Sequence, residues 1–146
     1  MNFRSLYKIA LIIIAMVLPL ASYSQCKNFV KKQCMPRMAP FTHNGQLNSA
    51  TLMEGETAEL QMTFYSGQNY RILVCAEDAL GKTQFVLLDG DHKTVFNSKD
   101  NGFPSFWDFN VNSTQQLTIQ VVIPKSSSPN AIVKSGCVTV LAGFKQ

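Results

Sequence analysis

The chain has 146 residues, of which 46% are apolar and 15% charged, and this length leaves room for one domain. Its formal net charge of +4 falls to +2 if Arg4 and Lys8 are removed with an N-terminal leader. A charge this small does not indicate a nucleic-acid partner.

The first 24 residues have the three parts of a secretory signal peptide. Arg4 and Lys8 form a basic start, residues 9–21 form an apolar run, and small residues lie at −3 and −1 of a cleavage after Ser24. The apolar run of 13 residues is shorter than the ~20 that a membrane-spanning helix needs. We therefore predict a periplasmic or secreted protein that keeps no membrane anchor.

Processing in the native host should release a mature protein whose first residue is Gln25. Sequencing the N-terminus of material purified from that host checks this prediction. An intact Met1 would contradict it.

Four cysteines follow the leader: Cys26, Cys34, Cys75 and Cys137. Export together with an even number of cysteines predicts two disulfides. A zinc site is not predicted, because no cysteine pair has C-x-x-C spacing and neither histidine lies near a cysteine in sequence.

The disulfide pairing depends on the segment between Cys26 and Cys34. Apolar residues at helical spacing share a face with both cysteines, which predicts a short helix ended by Pro36 and Pro40. The two cysteines would then lie ~12 Å apart, whereas a disulfide needs Cα atoms within about 4.4–6.8 Å. This favours bonds from each of them to Cys75 or Cys137, so that the segment is tied twice to the sheet. The alternative joins Cys26 to Cys34 and Cys75 to Cys137.

Eight short runs of β-branched and aromatic residues are separated by turn formers. The predicted strands are 46–52, 57–65, 70–76, 84–88, 93–97, 105–111, 116–123 and 136–144. The pattern predicts an all-β protein, an antiparallel β-sandwich of jelly-roll type with about eight strands and a short N-terminal helix. The predicted domains are a signal peptide (1–24), an N-terminal helix and irregular segment (25–45) and the sandwich (46–146).

Some neighbouring strands are predicted to pair. The runs 70–76 and 84–88 are apolar at nearly every position, which favours central strands covered on both faces, and we expect them to lie side by side. The run 57–65 should form a hairpin with 70–76. The strongest hairpin signal is Asp89-Gly90, since that pair suits a two-residue turn with positive φ.

Five strand sequences carry a resemblance to known proteins: Tyr70-Arg-Ile-Leu-Val, Phe85-Val-Leu-Leu-Asp, Ser105-Phe-Trp-Asp-Phe, Leu117-Thr-Ile-Gln-Val and Gly136-Cys-Val-Thr-Val. They resemble strands of small exported β-sandwich proteins of Gram-negative bacteria. Those proteins are similar in architecture to the bacterial pre-peptidase C-terminal domain, a jelly-roll module appended to secreted peptidases. The resemblance covers most of residues 46–144 and implies no catalytic motif.

Aromatic residues cluster in and before the strand 105–111. Alternation puts Trp107 on the apolar face with Phe109, which predicts a buried position. Phe106 lies on the opposite face and Phe103 precedes the strand, and these two are the candidates for contact with a ligand.

Acidic residues are the candidates for a calcium site or for hydrolytic catalysis. Asp89 and Asp91 could ligate calcium, although turn chemistry accounts for both and no Glu follows at EF-hand spacing. Asp89, Asp91 or Asp108 would serve the alternative function, a small secreted hydrolase or carbohydrate-active protein. Residues 76–83 are one glycine short of a phosphate-binding loop, but a strand follows them where that motif needs a helix.

The sequence as a whole predicts an exported, non-catalytic module that binds a ligand or has a structural role in the envelope. No cofactor or metal is predicted, and neither G-x-S-x-G nor H-E-x-x-H occurs in the chain. The partner is expected to be a ligand or an envelope component that the sequence does not specify. The oligomeric state is not specified either.

Overall fold

The computed structural model describes residues 22–145, which form two antiparallel β-sheets and a helical N-terminal segment. The strands are β1 (Thr42–His43), β2 (Asn48–Met53), β3 (Thr57–Phe64), β4 (Gln68–Ala76), β5 (Gln84–Leu88), β6 (Thr94–Asn97), β7 (Phe106–Val111), β8 (Gln115–Val122) and β9 (Ser135–Lys145). The predicted β-sandwich is confirmed. The predicted signal peptide lies outside the described residues, apart from Ser22–Ser24.

The strand order follows a nested scheme. Sheet A has β9 paired with β1 and β2 on one side and with β4 on the other, and β7 follows β4 at the far edge. Sheet B has the order β3–β8–β5–β6. The pairs β5–β6, β4–β7, β3–β8 and β2–β9 enclose one another along the chain. This nesting is compatible with the jelly-roll type.

Two predicted strand pairings are wrong. β4 and β5 lie in different sheets, and β3 belongs to sheet B while β4 belongs to sheet A, so neither pair forms a hairpin. Turn-forming residues show where a strand ends, but they do not show whether the chain then reverses within a sheet or crosses to the other one. The prediction that β4 and β5 are central strands is confirmed, since each has a neighbour on both sides.

The β5–β6 hairpin is present, but its turn differs from the predicted one. The residue with positive φ is His92 (φ 62°) and not Gly90. The backbone N–H of Asp89 donates to the carbonyl of Lys93 at 2.9 Å, which closes a three-residue loop. Asp89 Oδ1 accepts hydrogen bonds from the backbone N–H groups of Asp91 (3.0 Å) and Lys93 (2.9 Å). This carboxylate therefore holds its own turn.

The main core lies between the sheets. Alternate residues of both sheets point inward, including Phe64, Ile72, Leu87, Ile119 and Val140. Full burial of such a side chain stabilises the fold by roughly 1.5–3 kcal/mol.

Trp107 belongs to the core side of β7 as predicted, but it is half-buried and not fully buried. Its ring stacks between Phe96 of β6 and Phe109 of β7, with centroid distances of 4.8 Å and 4.5 Å. β6 and β7 are edge strands of opposite sheets, so the stack closes one open side of the sandwich. An edge position leaves part of the indole exposed.

Replacing Trp107 with alanine should still lower the free energy of unfolding by about 3 kcal/mol, because two stacked neighbours and core contacts are lost. Chemical denaturation measures the change. Val95→Ala, at an exposed position of β6, is the control and should cost less than about 0.5 kcal/mol. A loss below ~1 kcal/mol for Trp107→Ala would identify the tryptophan as a surface residue.

The N-terminal segment is helical for longer than predicted. Helix α1 (Ser22–Phe29) continues as a π-helical turn (Val30–Cys34) and a 3-10 turn (Met35–Met38). Pro36 does not end the helical segment. It lies near the start of the 3-10 turn, where the backbone N–H that proline lacks would not be hydrogen-bonded within the turn. No helix within residues 22–145 has both the length and the apolar character needed to cross a membrane.

We call residues 26–41 the strap, because they cover the outer face of sheet A. A second core forms beneath the strap from Val30, Cys34, Met38, Leu73, Cys75 and Leu141. Two disulfides hold the strap, Cys26–Cys137 and Cys34–Cys75. Each strap cysteine is therefore bonded to a cysteine of the sheet, which is the pairing that the helical spacing favoured over a Cys26–Cys34 bond.

Candidate functional site

Four connections meet at one end of the sandwich, which we call the loop end. They are residues 54–56, 77–83, 98–105 and 123–134. The pairing of Val122 with both Thr57 and Gln84 brings three of them together, and Val86 pairs with Asn97 just before the fourth. Loops gathered at the end of a rigid sandwich are a common location for binding residues.

A cleft of about 270 Å³ opens at the loop end between the β4–β5 and β6–β7 connections. We call it the loop-end cleft. Its lining includes Arg37, Lys82, Thr83, Phe85, Phe103 and Ser105. The lining contains two cations and no carboxylate, so its charge suits an anionic group.

Ser98 fixes one wall of the cleft. This fully buried residue accepts a hydrogen bond on Oγ from the backbone N–H of Phe85 (2.9 Å) and one on its carbonyl from Phe103 (2.8 Å). Phe103 is held at φ 58°, a left-handed conformation that costs a non-glycine residue about 1–2 kcal/mol. Strained residues of this kind cluster at functional sites, where the surrounding structure holds them in place.

The two cations reach the cleft from different elements. Arg37 comes from the strap, where its guanidinium donates to Ser105 Oγ and lies 3.7 Å from Cys75 Sγ. Lys82 comes from the β4–β5 connection, and its Nζ lies 5.8 Å from the centre of the Phe103 ring. Neither cation has a carboxylate partner, since the one ion pair in the described part of the chain joins Arg71 and Asp108.

Thr83 contributes an unsatisfied group. Its hydroxyl oxygen is buried and has no hydrogen-bond partner within residues 22–145. Such a group costs about 1–3 kcal/mol when it stays unpaired. Thr83 belongs to the Gly81-Lys82-Thr83 run, and the strand that follows it is present as predicted. The run therefore lines the cleft without the helix N-terminus that a phosphate-binding loop requires.

Phe106 and Asp108 lie elsewhere, on the outer face of sheet A beside Arg71. Both carboxylate oxygens of Asp108 accept hydrogen bonds from Arg71, each at 2.7 Å. The ring of Phe106 is 41% exposed, and the Arg71 guanidinium lies 4.2 Å from its centre. The hydrogen bond to Asp108 raises the pKa of Arg71 above its ordinary value, against the lowering effect of burial.

Arg71 also anchors the end of the strap. Its Nη1 donates to the backbone carbonyls of Arg37 (3.1 Å) and Ala39 (3.0 Å). The ring of Phe41 lies 4.7 Å from the guanidinium, on which it stacks. One arginine therefore connects β4, β7 and the strap.

The structure does not bring the candidate aspartates together. Asp89 and Asp91 lie on the β5–β6 turn, at the end of the sandwich opposite the loop end, and Asp108 lies on the outer face of sheet A. Within residues 22–145, no group of three or more His, Cys, Asp or Glu side chains is placed to hold a metal.

Of the residues that line the cleft, the sequence identified the aromatic Phe103 as a candidate but none of the polar residues. Phe103 was a candidate because it is an aromatic residue just before the strand 105–111. Arg37 and Ser105 are separated by 68 residues, so no local pattern links them. Lys82 and Thr83 do have a sequence signal, the Gly-Lys-Thr run, but that signal indicates a different chemistry.

The chain was compared with known proteins. No protein-family model matches it, and a search of curated proteins finds no significant match. Among solved structures, it is similar to Aeromonas hydrophila PliG, a periplasmic lysozyme inhibitor of g-type lysozyme, with a TM-score of 0.51 and 9% sequence identity. The similarity covers 73% of this chain and 89% of that one. At this identity, the comparison establishes the β-rich fold alone.

Proposed function

We propose that this chain is an exported, non-catalytic module that binds a protein through the loop-end cleft. One observation carries the proposal: Arg37 and Lys82 both line one concave site, and neither has a carboxylate partner in the described chain. A carboxylate side chain of a partner would supply the negative charge and would accept hydrogen bonds from the two cations.

Exposed apolar residues at the loop end favour a protein partner over a small anion. Ile132 and Val133, in the β8–β9 connection, are 87% and 64% exposed. The same connection contains Pro124, whose ring lies next to Gly81 of the cleft. Protein interfaces commonly combine apolar contacts with charged groups.

We assign the partner to the lysozyme class of enzymes. PliG, whose fold is similar, is a periplasmic inhibitor of g-type lysozyme. Glycoside hydrolases commonly carry a pair of catalytic carboxylates, and these are groups that a cationic cleft attracts. Two disulfides and the predicted leader support export to the same kind of compartment. The likeness to the pre-peptidase C-terminal domain remains a prediction from strand patterning.

The alternative, a hydrolase that uses Asp89, Asp91 or Asp108, has less support. Asp108 is engaged on both oxygens by Arg71, and Asp89 holds the hairpin turn. None of the three lines the loop-end cleft.

A lysis assay tests the proposal. The mature protein, starting at Gln25, is titrated against a g-type lysozyme acting on bacterial cell walls, with other lysozyme types in parallel. We expect saturable inhibition that Lys82→Glu and Ile132→Asp each weaken by about tenfold or more. Lys99→Glu is the matched control, since it makes the same charge change at the loop end outside the lining of the cleft.

Each other outcome has a clear meaning. Failure to bind any lysozyme would overturn the partner assignment. Equal weakening by Lys82→Glu and Lys99→Glu would overturn the cleft as the contact site. Hydrolytic activity of the chain itself that Asp108→Asn abolishes would favour the alternative.

A further inference from the structure

An Asn-Gly pair lies in a bulge at the edge of sheet A. β1 and β2 both pair with β9, and residues 44–47 between them form the bulge. The backbone N–H of Asn44 still donates to the carbonyl of Ala142 (3.0 Å), and the chain then leaves β9 until Asn48. Asn44 and Gly45 are exposed, and no atom of the described chain lies within 4 Å of the place that a Gly45 Cβ would take. The pair is therefore open to water.

His43 places a basic nitrogen on the backbone N–H of Gly45. Its Nε2 lies 3.0 Å from the carbonyl oxygen of Gln46, and a carbonyl only accepts, so Nε2 carries the proton of the neutral ring. The other ring nitrogen, Nδ1, then has a free lone pair, and it accepts a hydrogen bond from the Gly45 N–H (3.2 Å). An imidazole in this position can act as the base that removes that proton.

The carboxamide of Asn44 is turned toward the same backbone nitrogen. Its Oδ1 accepts a hydrogen bond from the backbone N–H of Gln46 (3.0 Å), two residues ahead, so the side chain folds over the intervening Gly45 nitrogen. The Gln46 N–H polarises the side-chain carbonyl and stabilises the negative charge that attack at Cγ places on Oδ1. Residues 43–46 therefore supply a base, a nucleophile, an electrophile and a donor to the developing oxyanion.

We infer that Asn44 is a site of self-catalysed deamidation. His43 Nδ1 removes the proton from the Gly45 nitrogen, which attacks Asn44 Cγ to form a succinimide ring. The bond from Cγ to Nδ2 breaks, the proton held by His43 passes to Nδ2 through water, and ammonia leaves. A water molecule then opens the ring at either carbonyl, which leaves aspartate or isoaspartate at this position. The inference does not rest on the lysozyme assignment, because residues 43–46 lie outside the lining of the loop-end cleft.

The pair Asn101-Gly102 is an internal control. The backbone N–H of Gly102 donates to the carbonyl of Ser98, an acceptor that is not a base. The side-chain Nδ2 of Asn101 donates to the carbonyl of Asn97 (2.8 Å), so this carboxamide points back along the chain and away from Gly102. The same two residue types therefore occur here without the base and without the orientation that attack requires.

Peptide mass spectrometry of the mature protein measures both sites in one sample that is incubated at neutral pH and digested at acidic pH. In the native protein, Asn44 should deamidate at least about tenfold faster than Asn101. In urea with the disulfides reduced, the two sites should react at similar rates, and Asn44 should react more slowly than in the native protein. A native Asn44 that reacts no faster than Asn101, or more slowly than in urea, would show that the hydrogen bonds protect the pair and would overturn the inference.

Two variants of His43 separate the base from the hydrogen bond. In His43→Asn, the side-chain oxygen can replace Nδ1 as the acceptor for the Gly45 N–H, but it is not a base. In His43→Phe, both the acceptor and the base are lost. We expect each variant to slow deamidation of Asn44 by about tenfold or more and to leave Asn101 unchanged, with an unaltered urea midpoint showing that the fold is kept. A wild-type rate at Asn44 in either variant would contradict the role of His43 as the base.

Discussion

Replacing Cys34 and Cys75 together with serine should lower the free energy of unfolding by about 4 kcal/mol. The bond closes a loop with a sequence separation of 41 residues, and the chain-entropy estimate for such a loop gives this value. The bond also lies in the core beneath the strap, next to Val30 and Met38, whose burial depends on the strap staying in place. Denaturation in urea under oxidising conditions measures the loss.

Two controls accompany the cysteine variant. Peptide mapping of the unreduced wild type should give a linked Cys34–Cys75 fragment and a linked Cys26–Cys137 fragment. The variant should keep the second fragment, which shows that the remaining bond has not rearranged. A loss of less than ~1 kcal/mol would mean that the strap docks without this tie.

Arg71→Ala should lower the free energy of unfolding by about 2–3 kcal/mol. The variant removes the paired hydrogen bonds to Asp108 and both bonds to the strap carbonyls of Arg37 and Ala39. Hydrogen bonds to a charged group contribute more stability than neutral ones. The Asp108 side chain is 40% exposed, however, so water can hydrogen-bond its carboxylate in the variant and the loss of stability is smaller.

Arg71→Lys is the informative comparison for this prediction. Lysine keeps the charge but lacks the planar fork of donors, so it cannot bond Asp108 and the strap at the same time. We expect it to recover less than half of the lost stability in the same denaturation experiment. A lysine variant as stable as the wild type would show that charge alone matters at this position.

The fold class was predictable because its signals are local. Alternation and turn formers lie within each run of five to ten residues, and they predicted eight of the nine described strands to within a few residues of their ends. The two-residue strand β1, in the predicted irregular segment, was missed. Strand partners are a property of the whole chain. The short connections after β3 and β4 both carry the chain from one sheet to the other, and nothing in their residues distinguishes this from a hairpin.

The candidate site was predictable only in part, for the same reason. Phe103 was found because it belongs to a local cluster of aromatic residues before a predicted strand. Asp108 was noticed as a candidate acid, but its partner Arg71 lies 37 residues earlier in the chain and becomes visible only when β4 pairs with β7. The unsatisfied hydroxyl of Thr83 is a consequence of packing, so no sequence pattern reports it.

Amide hydrogen exchange of the mature protein, with and without saturating g-type lysozyme, tests the central claim most directly. Binding through the loop end predicts slower exchange in residues 77–83, 98–105 and 123–134 and little change at the β5–β6 turn. Slower exchange confined to the β5–β6 turn, or no change at the loop end at saturation, would contradict it.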